Sequence, residues 1–336
     1  MLEEGSDEDY VLVTQLPSDS WFEGFAFRPD GRILACRLDE PEIYTLNPED
    51  PDSTPQLLHT FTEEDQTTGL VDAEPIPGTK DEYFVLSTIG DLSGVQFTDP
   101  IIWRVVLSPD DSSPPKITKL AEIPESGLCA AVIAITDRVV ILPDSTQNCI
   151  WHVDTQTGKA TILMADDSMK IAEGEGNFFG LNRICVSDEF IWFTNTSAGL
   201  LGRIPIERVH DDPAVGIRVS GPVQILSDEI TDCDGLAITR DQTAAYTCSY
   251  KDGFIWKVNI EPSTGQTSTS VIVSNLASPT AVELGYVNGK VKLFIVCCGE
   301  IQTGWIQEKE NPWSDIANIN SAVTVQVETQ EVIESI

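Results

Sequence analysis

The stretch WFEGFAFRPDGRILACRLDEPEIYTL, residues 21–46, decides the fold. It holds three short alternating segments, 23–27, 32–37 and 42–46, joined by Arg28-Pro29-Asp30-Gly31 and by Asp39-Glu40-Pro41. An Asp-Gly pair between alternating apolar segments is a strong hairpin signal, because glycine accepts the positive φ of a tight turn. A fourth segment, 56–61, follows a Pro/Asp-rich loop and completes a four-stranded antiparallel meander. The chain then repeats this unit. Ile43-Tyr44 on the third strand recurs as Ile102-Trp103, Ile150-Trp151 and Ile255-Trp256, with a weaker copy at Gly202-Arg203-Ile204-Pro205. A period of roughly 50 residues belongs to propeller blades. The recurring aromatic is expected to pack between neighbouring blades, whose faces must be buried.

Outward from that unit, residues 10–16 (YVLVTQL) form a strand ahead of the first meander, and the last strong strand, 322–329, lacks a fourth partner. The predicted architecture is all-β: a six-bladed β-propeller closed by an N-terminal strand that completes the last blade and removes both open edges. Residues 1–9 read as an acidic flexible N-terminus and 10–336 as a single propeller domain. Blades two to five are expected at 69–123, 127–164, 180–226 and 234–274, and blade six uses 278–285, 292–298, 322–329 and the N-terminal strand.

Lys plus Arg number 20 against 54 Asp plus Glu in 336 residues, a net charge of −34. That disfavours nucleic acid and anionic membranes, which need basic patches, and no apolar run is long enough for a membrane span. The opening MLEEGSDED is acidic where a signal peptide is basic and then apolar. The chain as given reads as cytoplasmic, or as secretory if a signal peptide has been removed. Its eight cysteines lack metal-finger spacing and read as free thiols. Asn195-Thr196-Ser197 is a glycosylation sequon that also lies at a strand end.

Loop lengths select a working face. The long insertions 89–100, 165–179 and 299–321 all fall where inner strands begin and second strands end. Structureless loops of this length are usually functional or disordered. They carry Phe97, Phe178, Phe179, Trp305 and Trp313, which read as an apolar lid over a lipophilic small molecule. The inner strands are expected to begin, at the axis, with Glu23, Asp72, Ala130, Asn182, Asp234 and Thr280. The second strands are expected to end there with Arg37, Ser87, Asp144, Asn195, Tyr250 and Cys298. Glu23, Asn182 and Asp234 offer two carboxylates and an amide oxygen, a hard set suited to Ca²⁺ or Mg²⁺; the alternative is hydrogen bonding in a wet channel. The histidines, His59, His152 and His210, fall on outer strands or a loop, so Ser or Cys triads lack a base. No P-loop or dinucleotide-binding glycine pattern occurs, and no cofactor is required.

The pattern EG…PDGR at Glu23, GLN at 180–182 and DGLAI at 234–238 resembles the senescence-marker-protein/gluconolactonase group of six-bladed propellers. That resemblance implies a divalent metal held by Glu23, Asn182 and Asp234, with Asp234 helping to activate water for lactone hydrolysis. The lines LPSDSWFEGFAFRPDGRILACRLDEPEIYTLNP, IWHVDTQTGKATIL and FIWFTNTSAGLLGRIPI are similar to fungal relatives of the group, over nearly the whole chain. Some of those act in natural-product pathways as hetero-Diels–Alderases, joining a tropolone-derived quinone methide to a terpene alkene. Two departures replace sugar-binding polarity by apolar surface: Cys129-Ala130-Ala131, where lactonases commonly place an Asn, and Cys297-Cys298 ahead of a Trp-bearing loop. Under the pericyclase expectation Arg37, Asn182 or Tyr250 donates to the heterodiene oxygen, Glu23 or Asp234 assists loss of water, and Ala130, Thr280 and Cys298 join the aromatic loops in binding substrate. A metal-dependent lactonase and a non-catalytic binding propeller are the alternatives. The sequence leaves the oligomeric state open.

Overall fold

The computed structural model describes residues 10–16, 20–50, 54–91, 96–174, 176–287, 289–299 and 323–328. Over these residues the chain is all-β, with helix limited to the short turns Glu63–Asp65 and Asp167–Met169. No helix among them is long and apolar enough to cross a membrane.

The strands pair into antiparallel sheets in chain order. The first contains Phe22–Phe27, Ile33–Arg37, Glu42–Leu46 and Gln56–Thr60, and the second Gly69–Pro75, Glu82–Asp91, Gln96–Val106 and Lys116–Glu122. The third has a two-residue inner strand, Ile133–Ala134, followed by Val139–Asp144, Cys149–Asp154 and Lys159–Ala165. The fourth begins with Leu181–Val186 and Phe190–Asn195. Its third strand, Leu200–Val209, is long enough to pair Gln224–Ser227 along one half and Gly216–Val219 along the other. The fifth holds Cys233–Ile238, Ala244–Ser249, Phe254–Ile260 and Thr267–Val273. The last orders Pro279–Val287, Lys290–Cys297, Val323–Glu328 and, at its outer edge, Val11–Gln15.

Inner strands of successive sheets lie against one another, and Pro279–Val287 of the last lies against Phe22–Phe27 of the first. The arrangement is propeller-like. Burial follows from it. Second strands such as Val139–Asp144 and Ala244–Ser249 are buried at every position because both faces meet a neighbouring sheet, whereas outermost strands such as Lys116–Glu122 are largely exposed. The recurring aromatic sits at these interfaces. Trp103 packs with Cys36, Ile43 and Phe61 of the first sheet, and Trp151 with Val71, Phe84 and Leu86 of the second. The Asp30-Gly31 turn forms as expected, with Gly31 at φ +86°.

One expectation needs correction. The described residues of 89–100 are paired strand rather than loop: after a register shift between Ser87 and Ile89 the hairpin continues, pairing Ile89 with Thr98 and Gly90 with Phe97. Alternation resumes there, so the strands overhang the sheet and carry Phe97 outward. Trp305 and Trp313, most of the expected loop 299–321, and the acidic residues 1–9 lie outside the described residues.

Candidate active site

Five inner strands share one local irregularity. Their ladders to the second strands shift register between Phe22 and Gly24, Leu70 and Asp72, Leu181 and Ile184, Cys233 and Leu236, and Pro279 and Ala281. A bulge frees residues from the ladder and re-aims their side chains. The freed residues are Glu23, Val71, Asn182-Arg183, Asp234-Gly235 and Thr280. Glu23, Val71, Asn182, Asp234 and Thr280 line one cavity. The glycines inside the motif permit close approach of neighbouring sheets. A Cβ on Gly24 would stand 2.3 Å from Asp72 Oδ1, and one on Gly235 would stand 2.6 Å from Ala281 Cα.

The wall above is apolar: Trp21, Leu38, Val71, Phe97, Leu128, Cys129, Ala130 and Phe179 enclose it, with Tyr250 at one side. The floor is polar and buried. Trp21 Nε1 donates to Glu23 Oε2 at 2.7 Å. Asn182 Nδ2 donates to Thr196 Oγ1 at 2.9 Å, and Thr280 Oγ1 donates to the Phe22 carbonyl at 3.0 Å. Asp234 Oδ1 is buried without a hydrogen-bond partner.

Beneath the floor lies Arg183, a residue the sequence reading passed over. Its guanidinium meets Asp72 Oδ2 at 3.0 Å, donates to the Glu23 carbonyl at 2.9 Å and stands 3.9 Å from Glu23 Oε1. It thereby ties the fourth sheet to the first and second across the axis. On its far side a second cavity is lined by Asp72, Glu74, Arg183 and Glu283 among others.

Burial raises the carboxyls of this axis. Asp234 is pushed well above the usual carboxylate range by burial and by the charge of Glu23, against the opposing pull of Arg183 and Asn182. Glu23 is raised by burial and by Asp72, with Arg183 and Trp21 opposing. Burial, together with the charges of Asp232 and Asp234, raises the Tyr250 phenol, which therefore stays a proton donor. In the lower cavity Glu74 is raised well above its range by burial and by Glu283. Glu283 is open to the water of the channel but ringed by protein, which with the charge of Asp72 pushes it up to about 8.

Of the residues expected at the axis, Glu23, Asn182, Asp234, Ala130, Thr280, Tyr250, Phe97 and Phe179 meet in the one cavity. Phe178 packs on Phe179, ring centroids 4.5 Å apart, and is not part of the wall. Asp72 sits one residue deeper than expected, because the bulge gives the upper position to Val71. Most second-strand ends serve elsewhere. Arg37 is held by Asp39 and Glu42 rather than donating into the cavity. Ser87 accepts from Trp103 Nε1, and Asp144 accepts from Trp151 Nε1, Ser126 Oγ and backbone N–H groups of its turn. Asn195 is fully buried and donates to the Ser168 and Lys170 carbonyls, anchoring the turn after the third sheet. Cys298 is fully buried and does not reach the cavity. Cys129 does, but burial and Asp144 raise its thiol well above the ordinary value, so it is no nucleophile.

A divalent ion is a poor fit to this floor. Ca²⁺ takes about six to eight oxygens, yet Glu23 Oε2 is engaged by Trp21 and Glu23 Oε1 faces the Arg183 guanidinium. The expected set holds only two carboxylates beside the Asn182 amide, and among the described residues no three His, Cys, Asp or Glu side chains are arranged to hold a metal ion.

No protein-family model matches the chain, and no curated protein does. Solved structures do. An aldose sugar dehydrogenase from Streptomyces coelicolor, in its PQQ-bound form, aligns at TM-score 0.60 with 11% identity, covering 95% of this chain and 97% of that one. Regucalcin, a calcium-binding protein from Agrobacterium tumefaciens, aligns at 0.56 with 14% identity over 94% of both chains. The β-propeller domain of Myceliophteria thermophila Cps50 (Swd1) aligns at 0.52 with 9% identity, over 92% of this chain and 83% of that one. At these identities the likeness is one of fold, and the fold hosts many chemistries.

Proposed function

We propose that the chain is a propeller enzyme acting on lipophilic small molecules, a pericyclase of the hetero-Diels–Alder type, and that its sheets are the six blades of one domain closed by Val11–Gln15. The pairing of that strand with Val323–Glu328 and the contact between the first and last inner strands support the closure. The observation that carries the activity is an apolar cavity over the buried carboxyl of Asp234, whose pKa burial raises. An apolar wall with a few convergent polar groups suits a small-molecule ligand. Cycloaddition gains from holding two partners together, which supplies about 7–11 kcal/mol of a bimolecular barrier, and from excluding water.

The chain's own groups supply the preceding dehydration. Asp234 gives its proton to the leaving hydroxyl of a hydroxymethyl precursor, the C–O bond breaks, and water departs. Glu23 takes the ring hydroxyl proton, leaving a neutral quinone-methide heterodiene. Tyr250 donates to the carbonyl oxygen of that heterodiene, stabilising charge that builds there during bond formation. Free thiols at all eight cysteines and the burial of the sequon residue Asn195 support a cytoplasmic location.

Incubation with a tropolone-type alcohol and a terpene alkene tests the reading. One product stereoisomer, formed faster than in the uncatalysed control and lost with Asp234→Asn, is expected. An unchanged isomer mixture at the uncatalysed rate would refute it. Hydrolysis of a lactone is a second reading, favoured by the convergence of Glu23, Asn182 and Asp234, and lactone turnover by the same preparation would select it.

A further inference from the structure

We propose that Arg183 is the resident cation of the cavity floor, filling with its guanidinium the role a divalent ion would otherwise take among Glu23, Asp72 and Asp234. Three observations converge. First, Arg183 is buried, and a buried charge persists only when paired and hydrogen-bonded. Its partners are Asp72 Oδ2 at 3.0 Å and, of the expected metal ligands, Glu23, through the carbonyl at 2.9 Å and Oε1 at 3.9 Å. Second, the remaining oxygens are short of a coordination shell. Trp21 Nε1 takes Glu23 Oε2, and the Arg183 guanidinium faces Glu23 Oε1, which leaves the Asn182 amide oxygen and the Asp234 carboxyl. Third, the register shift between Leu181 and Ile184 releases two residues, so Asn182 and Arg183 both leave the ladder. The arginine thus reaches the axis by the same backbone device that presents the amide.

Asp234 Oδ1 is then the open polar position of the floor, left for a hydroxyl of the ligand rather than for a metal. A guanidinium also suits the place physically. It is always charged, and its planar fork spans two acceptors on different strands, here Asp72 on the second sheet and Glu23 on the first.

The test reads metal binding rather than turnover, so it stands apart from the fate of the pericyclase reading. The chelator-treated chain is titrated calorimetrically with Ca²⁺, Mg²⁺ and Mn²⁺, with melting temperature followed in parallel. Wild type is expected to show no saturable site and no shift beyond that of Asp234→Asn, the control for ions on the acidic surface. Arg183→Met is expected to gain a divalent-dependent rise in melting temperature that Arg183→Lys does not show. A saturable wild-type site abolished by Asp234→Asn would overturn the proposal, as would a folded Arg183→Met that gains nothing. Should Arg183→Met fail to fold, the wild-type titration decides alone.

Discussion

Arg28 shows how single residues hold neighbouring sheets together. Its side chain is fully buried and donates to Asp81 through Nε and Nη2, to Asp111 at 2.9 Å and to the Ser108 carbonyl. Removing one partner of such a network leaves the others buried and uncompensated, which costs about 3–5 kcal/mol. Arg28→Ala is therefore expected to lower the urea-unfolding free energy by that amount, and a loss under 1 kcal/mol would contradict the pairing. Gly24→Ala tests the close approach at the floor. The added methyl meets Asp72 Oδ1 and the Val71 carbonyl, so overpacking of about 1–3 kcal/mol is expected. These residues also mark what the sequence made legible. The pairs Glu23-Gly24 and Asp234-Gly235 stand out in the sequence within the EG and DGLAI patterns. Their glycines answer to packing between sheets, and their carboxylates reach the axis because a bulge sits at each. Arg183 was invisible for the same reason: strict alternation sends the residue after Asn182 to the opposite side of the strand, and only a two-residue bulge brings both to the axis.

Elements were legible wherever a period-2 pattern ran between turn signals, and failed where the pattern broke. The meander of the first sheet, the N-terminal strand and the third-strand aromatics all follow from alternation and Asp-Gly chemistry. The overhanging hairpin did not, because Gly90-Asp91 and Ser93-Gly94 imitate a loop. It has a function that tests at its own scale. Phe97 is held out over the cavity by the pairing of Gly90 with Phe97, while Phe179 reaches in from the segment after the Asp167–Met169 turn. Aromatic contacts are worth about 0.5–1.5 kcal/mol each. Phe97→Ala with Phe179→Ala is therefore expected to raise KM for a lipophilic partner by roughly tenfold and to loosen the product stereochemistry. The melting temperature should scarcely move, since neither ring belongs to the clusters between sheets. An unchanged KM and a single stereoisomer would remove the overhang from substrate binding.

At the scale of the molecule, the proposed closure gives Val11–Gln15 a structural role that deletion of residues 1–18 would remove. Their deletion should expose an unpaired edge along Val323–Glu328 and bring aggregation, and a soluble truncated monomer of unchanged stability would defeat it. Charge makes a second, sharper prediction. The axis concentrates carboxyls whose pKa rises on folding, namely Glu23, Asp72, Glu74, Asp234 and Glu283. A raised folded pKa means that the folded chain keeps protons the unfolded chain releases above about pH 4 to 4.5. Stability from these groups is complete below that pH and is lost as pH rises through the folded values, which for Glu283 extends to about 8. Carboxylates with depressed values, such as Asp30 and Asp154, work in the opposite sense, but their contribution is lost only as pH falls below the ordinary range. The melting temperature is thus expected to fall steadily between about pH 5 and pH 9. Self-repulsion of a chain carrying −34 acts in the same direction, so the curve alone does not identify the axis. Glu74→Gln with Glu283→Gln separates the two causes. It removes two charges from the channel while leaving the surface intact, and should raise the melting temperature far more at pH 9 than at pH 5. Parallel curves for the variant and the wild type would assign the whole effect to the surface and show that the channel carboxyls are hydrated and ionised.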